Sequence, residues 1–171
     1  MIVDIVVSDT NIFIDLMSVG LFGKALDLPI RVHTVEYVIN EIVDEGQKVE
    51  IEAAVLSGKL VVKEFDEEEF KDVLEMLLAR RNNVSITDCS VWYYAKKNNF
   101  RLLTGDGKLR RSAIADGVQV SGILYVTDML VDNGLIGQED MIAILERLKA
   151  INSRLPVAEI NKRINKYRGL L

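Results

Sequence analysis

The stretch SITDCSVWYYAKKNNFRLLTGDGKLRR, residues 85–111, decides the fold. Ser85 is a good helix N-cap, and Asp88 stands three residues on, where a carboxylate favours a helix N-terminus. Ile86, Cys89 and residues 91–95 then place apolar or small side chains around too much of the surface for one exposed face. The spacing predicts a helix buried on several sides. Asn98 and Asn99 end it, residues 100–104 (FRLLT) read as a short buried strand, and Gly105-Asp106-Gly107 reads as a turn. In a right-handed βαβ unit, helices run antiparallel to strands. A helix N-terminus and the carboxyl end of the next strand therefore share one sheet edge, which brings Asp88 and Asp106 together.

Outward from this stretch, the chain alternates strand and helix patterns. Residues 2–7 (IVDIVV) are mostly β-branched, as in a central parallel strand covered on both faces. They run into Ser8-Asp9-Thr10-Asn11, so Asp9 falls just past the carboxyl end of that strand, where open α/β sheets bind ligands. A second strand is expected at 30–33, with Thr34 capping a helix that reaches Asp44. Gly46 is read as a break, and residues 49–56 as a further helix. A third strand at 60–62 precedes an acidic helix start at 66–69, and 118–120 is a weak fifth strand. The expected fold is α/β: a three-layer α/β/α arrangement on a parallel five-stranded sheet, followed by C-terminal helices. Residues 1–136 form the expected main domain, and 137–171 a helical extension packed on it. Helical patterns at 123–131, 141–148 and 157–167 lack matching strands. The last carries Val157, Ile160, Ile164 and Tyr167 at helical spacing. This stripe either docks on the chain's own core or forms a surface for a second copy or a partner protein.

Composition narrows the classes. The 171 residues are 49% hydrophobic with two prolines, a globular composition of single-domain size. Net charge is −5, so any nucleic-acid contact must be a local patch. A single cysteine excludes an internal disulfide and fits a reducing compartment. The N-terminal run is interrupted by Asp4 and lacks a basic leader, and no apolar stretch approaches membrane-spanning length. A cytoplasmic protein with no membrane partner is expected.

Asp9, Asp88 and Asp106 thus fall on one sheet edge. Clustered carboxylates suit hard divalent cations, because two carboxylates about 4 Å apart repel by on the order of 4 kcal/mol at an effective dielectric near 20. Each acid also has a plainer role: Asp88 as a capping-box residue, Asp106 as a turn residue, Asp9 as a helix cap. Lys108, Arg110 and Arg111 form a basic patch beside Asp106 that could hold a phosphodiester backbone, and Arg80 and Arg81 could extend it. The lone His33 has no partner set for a triad or zinc site. Cys89, Trp92, Tyr93 and Tyr94 read as core.

The motifs VVSDTNIFIDL, TVEYVINEIVDEG, ITDCSVWYYAKK and RLLTGDGKLR, in this order, resemble the PIN-domain family over residues 2–136. The segment VSGILYVTDMLVDNGLI resembles a subfamily in which a helix pair follows the fifth strand. The resemblance implies a Mg²⁺- or Mn²⁺-dependent endoribonuclease acting on RNA, often a VapC-like toxin paired with an antitoxin protein. It implies Asp9, Glu41, Asp88 and Asp106 as metal-binding catalytic acids, with Thr10, Asn11 and Thr104 as neighbouring polar positions. Glu41 comes from the resemblance alone. Counted from Thr34 it lies about 10 Å along its helix, and Glu36, Asp44 and Glu45 compete with it. Two other classes remain: a non-catalytic PIN-like module that binds RNA or protein, and a metal-dependent phosphatase. The phosphatase lacks an Asp-x-Asp nucleophile motif after the first strand.

Overall fold

Val6 and Val7, both fully buried, mark β1 (Asp4–Ser8) as the centre of the molecule. In the computed structural model, which describes residues 4–79 and 84–170, β1 pairs in parallel with two neighbours. These are β2 (Ile30–Val35) on one side and β4 (Arg101–Leu103) on the other. β3 (Leu60–Lys63) extends the sheet beyond β2, and β5 (Val120–Ser121) extends it beyond β4. The order is β3-β2-β1-β4-β5, all parallel, with helices on both faces. That is the α/β class expected from the strand–helix alternation. Because β1 and β4 are adjacent, the register puts Ser8 beside Leu103, and the Asp9 amide donates to the Leu103 carbonyl at 2.9 Å. The segments following both strands therefore leave the sheet side by side.

Helix α1 (Thr10–Ser18) starts directly at Asp9, and α6 (Ile86–Asn98) starts at Ser85 with a complete capping box. Trp92 and Ala95 sink α6 into the main core, and Tyr93 lies buried against Val73 of α5 (Glu67–Ala79). Asn99 ends α6 in the left-handed region, at φ 55°, a conformation that asparagine tolerates better than most residues. The turn after β4 opens α7 (Gly107–Ala115), so Asp106 caps a helix as well as turning the chain.

The second quarter of the chain differs from its sequence reading. Thr34 does not cap a helix. It continues β2 and donates its hydroxyl to the Ser8 carbonyl at 2.8 Å. Helix α3 is consequently short and late, Glu36–Glu41. Gly46 breaks nothing, since α4 spans Glu45–Leu56 and is capped by Asp44 through the Gln47 amide. A short α2 (Phe22–Ala25) fills the connection before β2.

Three helices close the chain: α8 (Ile123–Asp132), α9 (Gln138–Ile151) and α10 (Val157–Tyr167). Met141, Leu145 and Leu148 of α9, with Ile160 and Ile164 of α10, join the same buried cluster as Val6 and Trp92. Arg163 fastens α10 to α8 by a two-pronged pair with Asp128 at 2.8 and 2.7 Å. Among the described residues no helix is long and apolar enough to cross a membrane.

The Ile160 and Ile164 stripe therefore faces the chain's own interior, at 0% and 2% exposure. Ile160→Ala should cost roughly 2–5 kcal/mol of unfolding free energy. Urea unfolding followed by Trp92 fluorescence measures it, and an unchanged midpoint would show that the stripe is not core.

Candidate functional site

The site is built from the ends of β1 and β4 and from three helix N-termini. Asp9 is only 4% exposed. One of its oxygens accepts the Thr10 amide at 2.8 Å, capping α1. The other accepts the Thr104 hydroxyl at 2.8 Å and the Asn11 amide nitrogen at 3.2 Å. Thr104, just past β4 and 1% exposed, in turn accepts the Asp106 amide at 3.0 Å. Asn11 closes the loop from the other side by accepting the Gly105 amide at 2.9 Å. A Cβ at Gly105 would come within 3.2 Å of that Asn11 oxygen, which favours glycine there. The α1 start and the α7 start are thus laced together through Asp9, Asn11 and Thr104.

The other acids each spend one oxygen on local structure. Asp106 Oδ1 accepts the Lys108 and Leu109 amides, and Asp88 Oδ2 accepts the Ser85 amide. Glu41 Oε2 accepts the Thr10 hydroxyl at 2.6 Å. Asp106 Oδ2, Asp88 Oδ1 and Glu41 Oε1 have no hydrogen-bond partner among the described residues. The late start of α3 puts Glu41 at its last position, and Thr10, next to Asp9, holds it. Of the competing acids, Asp44 caps α4 and Glu36 accepts the Phe65 amide.

Electrostatics couples the four acids. Burial pushes the Asp9 carboxyl up from 3.8 to about 6, against the hydrogen bonds from Thr104 and Thr10, and the charges of Asp88 and Glu41 add to the rise. Asp88 is also raised, by burial first, with the Ser85 hydrogen bonds opposing and Asp106 and Glu41 contributing repulsion. Asp88 therefore feels both Asp106 and Glu41, and Asp9 feels both Asp88 and Glu41. Among the described residues, however, no three of His, Cys, Asp or Glu form a group close enough to hold a metal ion as a cage. The donor chemistry nonetheless suits a hard divalent cation. Mg²⁺ commonly uses one or two carboxylates and completes its shell with water and phosphate oxygens. Unengaged oxygens on Asp88, Asp106 and Glu41 match that regime.

Lys108, Arg110 and Arg111 are exposed on α7, next to Asp106. The Arg111 guanidinium folds back to within 3.4 Å of the Cβ position at Gly107. Arg110 lines a cleft of about 570 Å³ that begins at Thr104 and Gly105 and runs to α8 and α10. Arg80 and Arg81 lie outside the described residues. His33 is buried in β2 with Nδ1 2.9 Å from the Tyr94 hydroxyl. Ser121, Tyr125 and Arg154, which line the cleft, were not found by sequence reasoning. Ser121 and Tyr125 fall within VSGILYVTDMLVDNGLI and Arg154 in no motif, and only the tertiary fold brings the three to this edge.

The chain belongs to the PIN-domain family: the family model DUF3368, described as a PIN domain, matches residues 5–168. Its solved structural neighbours include FitAcB from Neisseria gonorrhoeae, at 14% identity and TM-score 0.41, covering 67% of this chain and 95% of that one. FitAB bound to an IR36 DNA fragment is similar at 16% identity and TM-score 0.45, covering 69% and 94%. No curated protein matches the sequence.

The raised Asp9 carboxyl has a signed consequence. From about pH 4 to about 6 the folded chain keeps a proton on Asp9 that the unfolded chain has released. Its contribution to stability therefore falls as pH rises through that window and is fully adverse above about 6. In chelator, the unfolding free energy of Asp9→Asn relative to wild type should move in the variant's favour by on the order of 2–3 kcal/mol between pH 4 and 7. The asparagine NH₂ would face the Asn11 amide donor, a conflict that is constant with pH and leaves this slope intact. A difference that stays flat across the window would contradict a buried, charge-coupled Asp9.

Proposed function

We propose that this chain is a metal-dependent endoribonuclease that hydrolyses RNA phosphodiester bonds at the Asp9–Glu41–Asp88–Asp106 edge. The observation that supports it is the electrostatic coupling of the four carboxylates, three of them anchored at helix N-termini. Helix N-termini supply partial positive charge, which lets anions gather at lower cost. Residues 1–136 serve as the nuclease unit in this reading, and residues 137–171 as its helical extension.

Each part of the chain then has a role. A bound Mg²⁺ or Mn²⁺ would be held by Asp9 and Asp106, with Asp88 and Glu41 completing the set directly or through water, and would polarise and neutralise the scissile phosphate. Thr104, Asn11 and the Thr10 amide fix the Asp9 carboxylate, so its orientation need not be reorganised when substrate arrives. Thr10 does the same for Glu41. Lys108, Arg110 and Arg111 hold the backbone phosphates beside Asp106 and position the strand without reading its bases. In-line attack by water breaks a P–O bond of the backbone, and the two ends leave as a phosphate and a hydroxyl. The family resemblance adds an antitoxin protein and a second copy of the chain as partners, and a cytoplasmic setting.

A second reading has its own support. Asp9, Asp88 and Asp106 all act as caps, so the acids would persist in a non-catalytic PIN-like module that binds RNA or protein. Labelled single-stranded RNA, incubated with Mg²⁺, Mn²⁺ or chelator, separates the two. The nuclease should cleave only with metal, and Asp9→Asn or Asp106→Asn should slow it by about a hundredfold or more while the fold persists. Changing Lys108, Arg110 and Arg111 together to Ala should weaken RNA binding and flatten its salt dependence. Metal-independent cleavage, or full activity in the aspartate variants, would refute the carboxylate mechanism. Binding without any cleavage would favour the module.

A further inference from the structure

The cleft of about 570 Å³ has two walls of different origin. One adjoins the acid edge without containing its acids: Thr104, Gly105, Gly107 and Arg110. The other comes from the C-terminal helices and includes Tyr125, Asp128, Arg154, Leu155, Pro156, Glu159 and Arg163. Three arginines and two acids thus face the cleft. Arg163 is already committed, to Asp128 at 2.7 Å and to Glu159 at 3.3 Å. Arg110 and Arg154 form no salt bridge among the described residues and are exposed. They are the cleft's arginines outside any salt bridge among the described residues, one on each wall.

Arg154 is not placed there by chance fraying of a connector. Asn152, the C-cap of α9, donates from its side chain to Asp15 of α1 at 2.8 Å and accepts the Arg154 amide at 3.1 Å. The turn carrying Arg154 is therefore tied to α1, the helix that Asp9 caps. Burial raises the Asp15 carboxyl, and the Asn152 hydrogen bond and then the Arg154 charge oppose that rise. Between the arginines the walls are partly apolar. Leu155 and Pro156 line the cleft, and Tyr125 carries the Arg101 guanidinium 4.8 Å above its ring. A volume of this size suits one or two nucleotides and is far too small for a duplex.

We propose that this cleft is the path of a single RNA strand beside the catalytic edge, with Arg154 and Arg110 gripping its phosphates from opposite walls. This deepens the nuclease reading and rests on it. It gives the C-terminal extension a part in substrate binding, and it assigns Arg154, some fifty residues beyond the last acid, as a backbone contact. The preference for RNA over a protein segment rests on charge. A strand with phosphates about every nucleotide supplies an anion to each of these two arginines, while its bases meet the apolar surface between them.

The test is equilibrium binding of a fluorescent single-stranded RNA to the full chain in chelator, over a series of salt concentrations, with metal-dependent cleavage measured in parallel. Arg154→Ala should weaken binding roughly tenfold and lower the salt slope by about 0.7, the value for one phosphate contact on a single strand. Arg110→Ala with Arg154→Ala should lower it by about twice as much. Arg154→Lys keeps the charge and should keep the slope. With Mg²⁺ or Mn²⁺, the loss in Arg154→Ala should fall on KM rather than kcat. If wild type cleaves RNA and Arg154→Ala matches it in affinity, slope and KM, the proposal is overturned while the nuclease reading stands, and the cleft is left for a protein segment. If binding depends on Arg154 as stated but no metal yields cleavage, the strand path stands and the nuclease reading falls.

Discussion

A single buried carboxylate, Asp9, holds one edge of the sheet together. It emerges where β1 ends and β4 runs alongside, and there it accepts the first amide of α1, the Thr104 hydroxyl and the Asn11 side chain. Through Thr104 and Asn11 it sets the Gly105 and Asp106 amides, and through Thr10 it sets Glu41. Burying a charge in this way is costly unless it is paired or hydrogen-bonded, and Asp9 is hydrogen-bonded by donors from two sheet neighbours. The remaining cost appears as a carboxyl raised to about 6. The neighbouring acids make that cost larger, which is the opposite of what stability alone would select.

The acids divide their oxygens between two tasks. Asp9 engages both of its oxygens, whereas Asp88, Asp106 and Glu41 each commit one to a helix end or a neighbouring hydroxyl and leave the second unengaged among the described residues. Capping and site chemistry are therefore compatible uses of the same side chain. The caps hold Asp9, Asp88 and Asp106 in place, and the electrostatic coupling is the cost of gathering their charges at one edge. The C-terminal helices complete the edge from outside. Their buried faces join the main core, and the Asn152–Asp15 link carries the turn before α10 to α1.

Much of this was legible because it is local. The Ser85–Asp88 capping box, the Asn99 stop and the Gly105-Asp106-Gly107 turn follow from neighbouring residues, and parallel topology alone then puts Asp88 near Asp106. Glu41 was not legible in the same way. A hydroxyl bond from Thr34 to Ser8, on the adjacent strand, keeps β2 going and delays α3, and no sequence window contains both partners. Gly46 misled for a related reason, since the Asp44 cap outweighs one glycine in the first turn of α4. Arg154 reaches the site only through the docking of α9 and α10, so its role has no signature near the acids at all.

The acids form one electrostatic unit centred on the buried Asp9 and the half-buried Asp88. Carbon-detected NMR titration of the side-chain carboxyls in metal-free protein tests this directly. Asp9 should titrate near pH 6 in wild type, and its midpoint should fall in Asp88→Asn while its carboxylate stays buried. An Asp9 midpoint near the ordinary 3.8, or one unmoved by removing the Asp88 charge, would contradict the account.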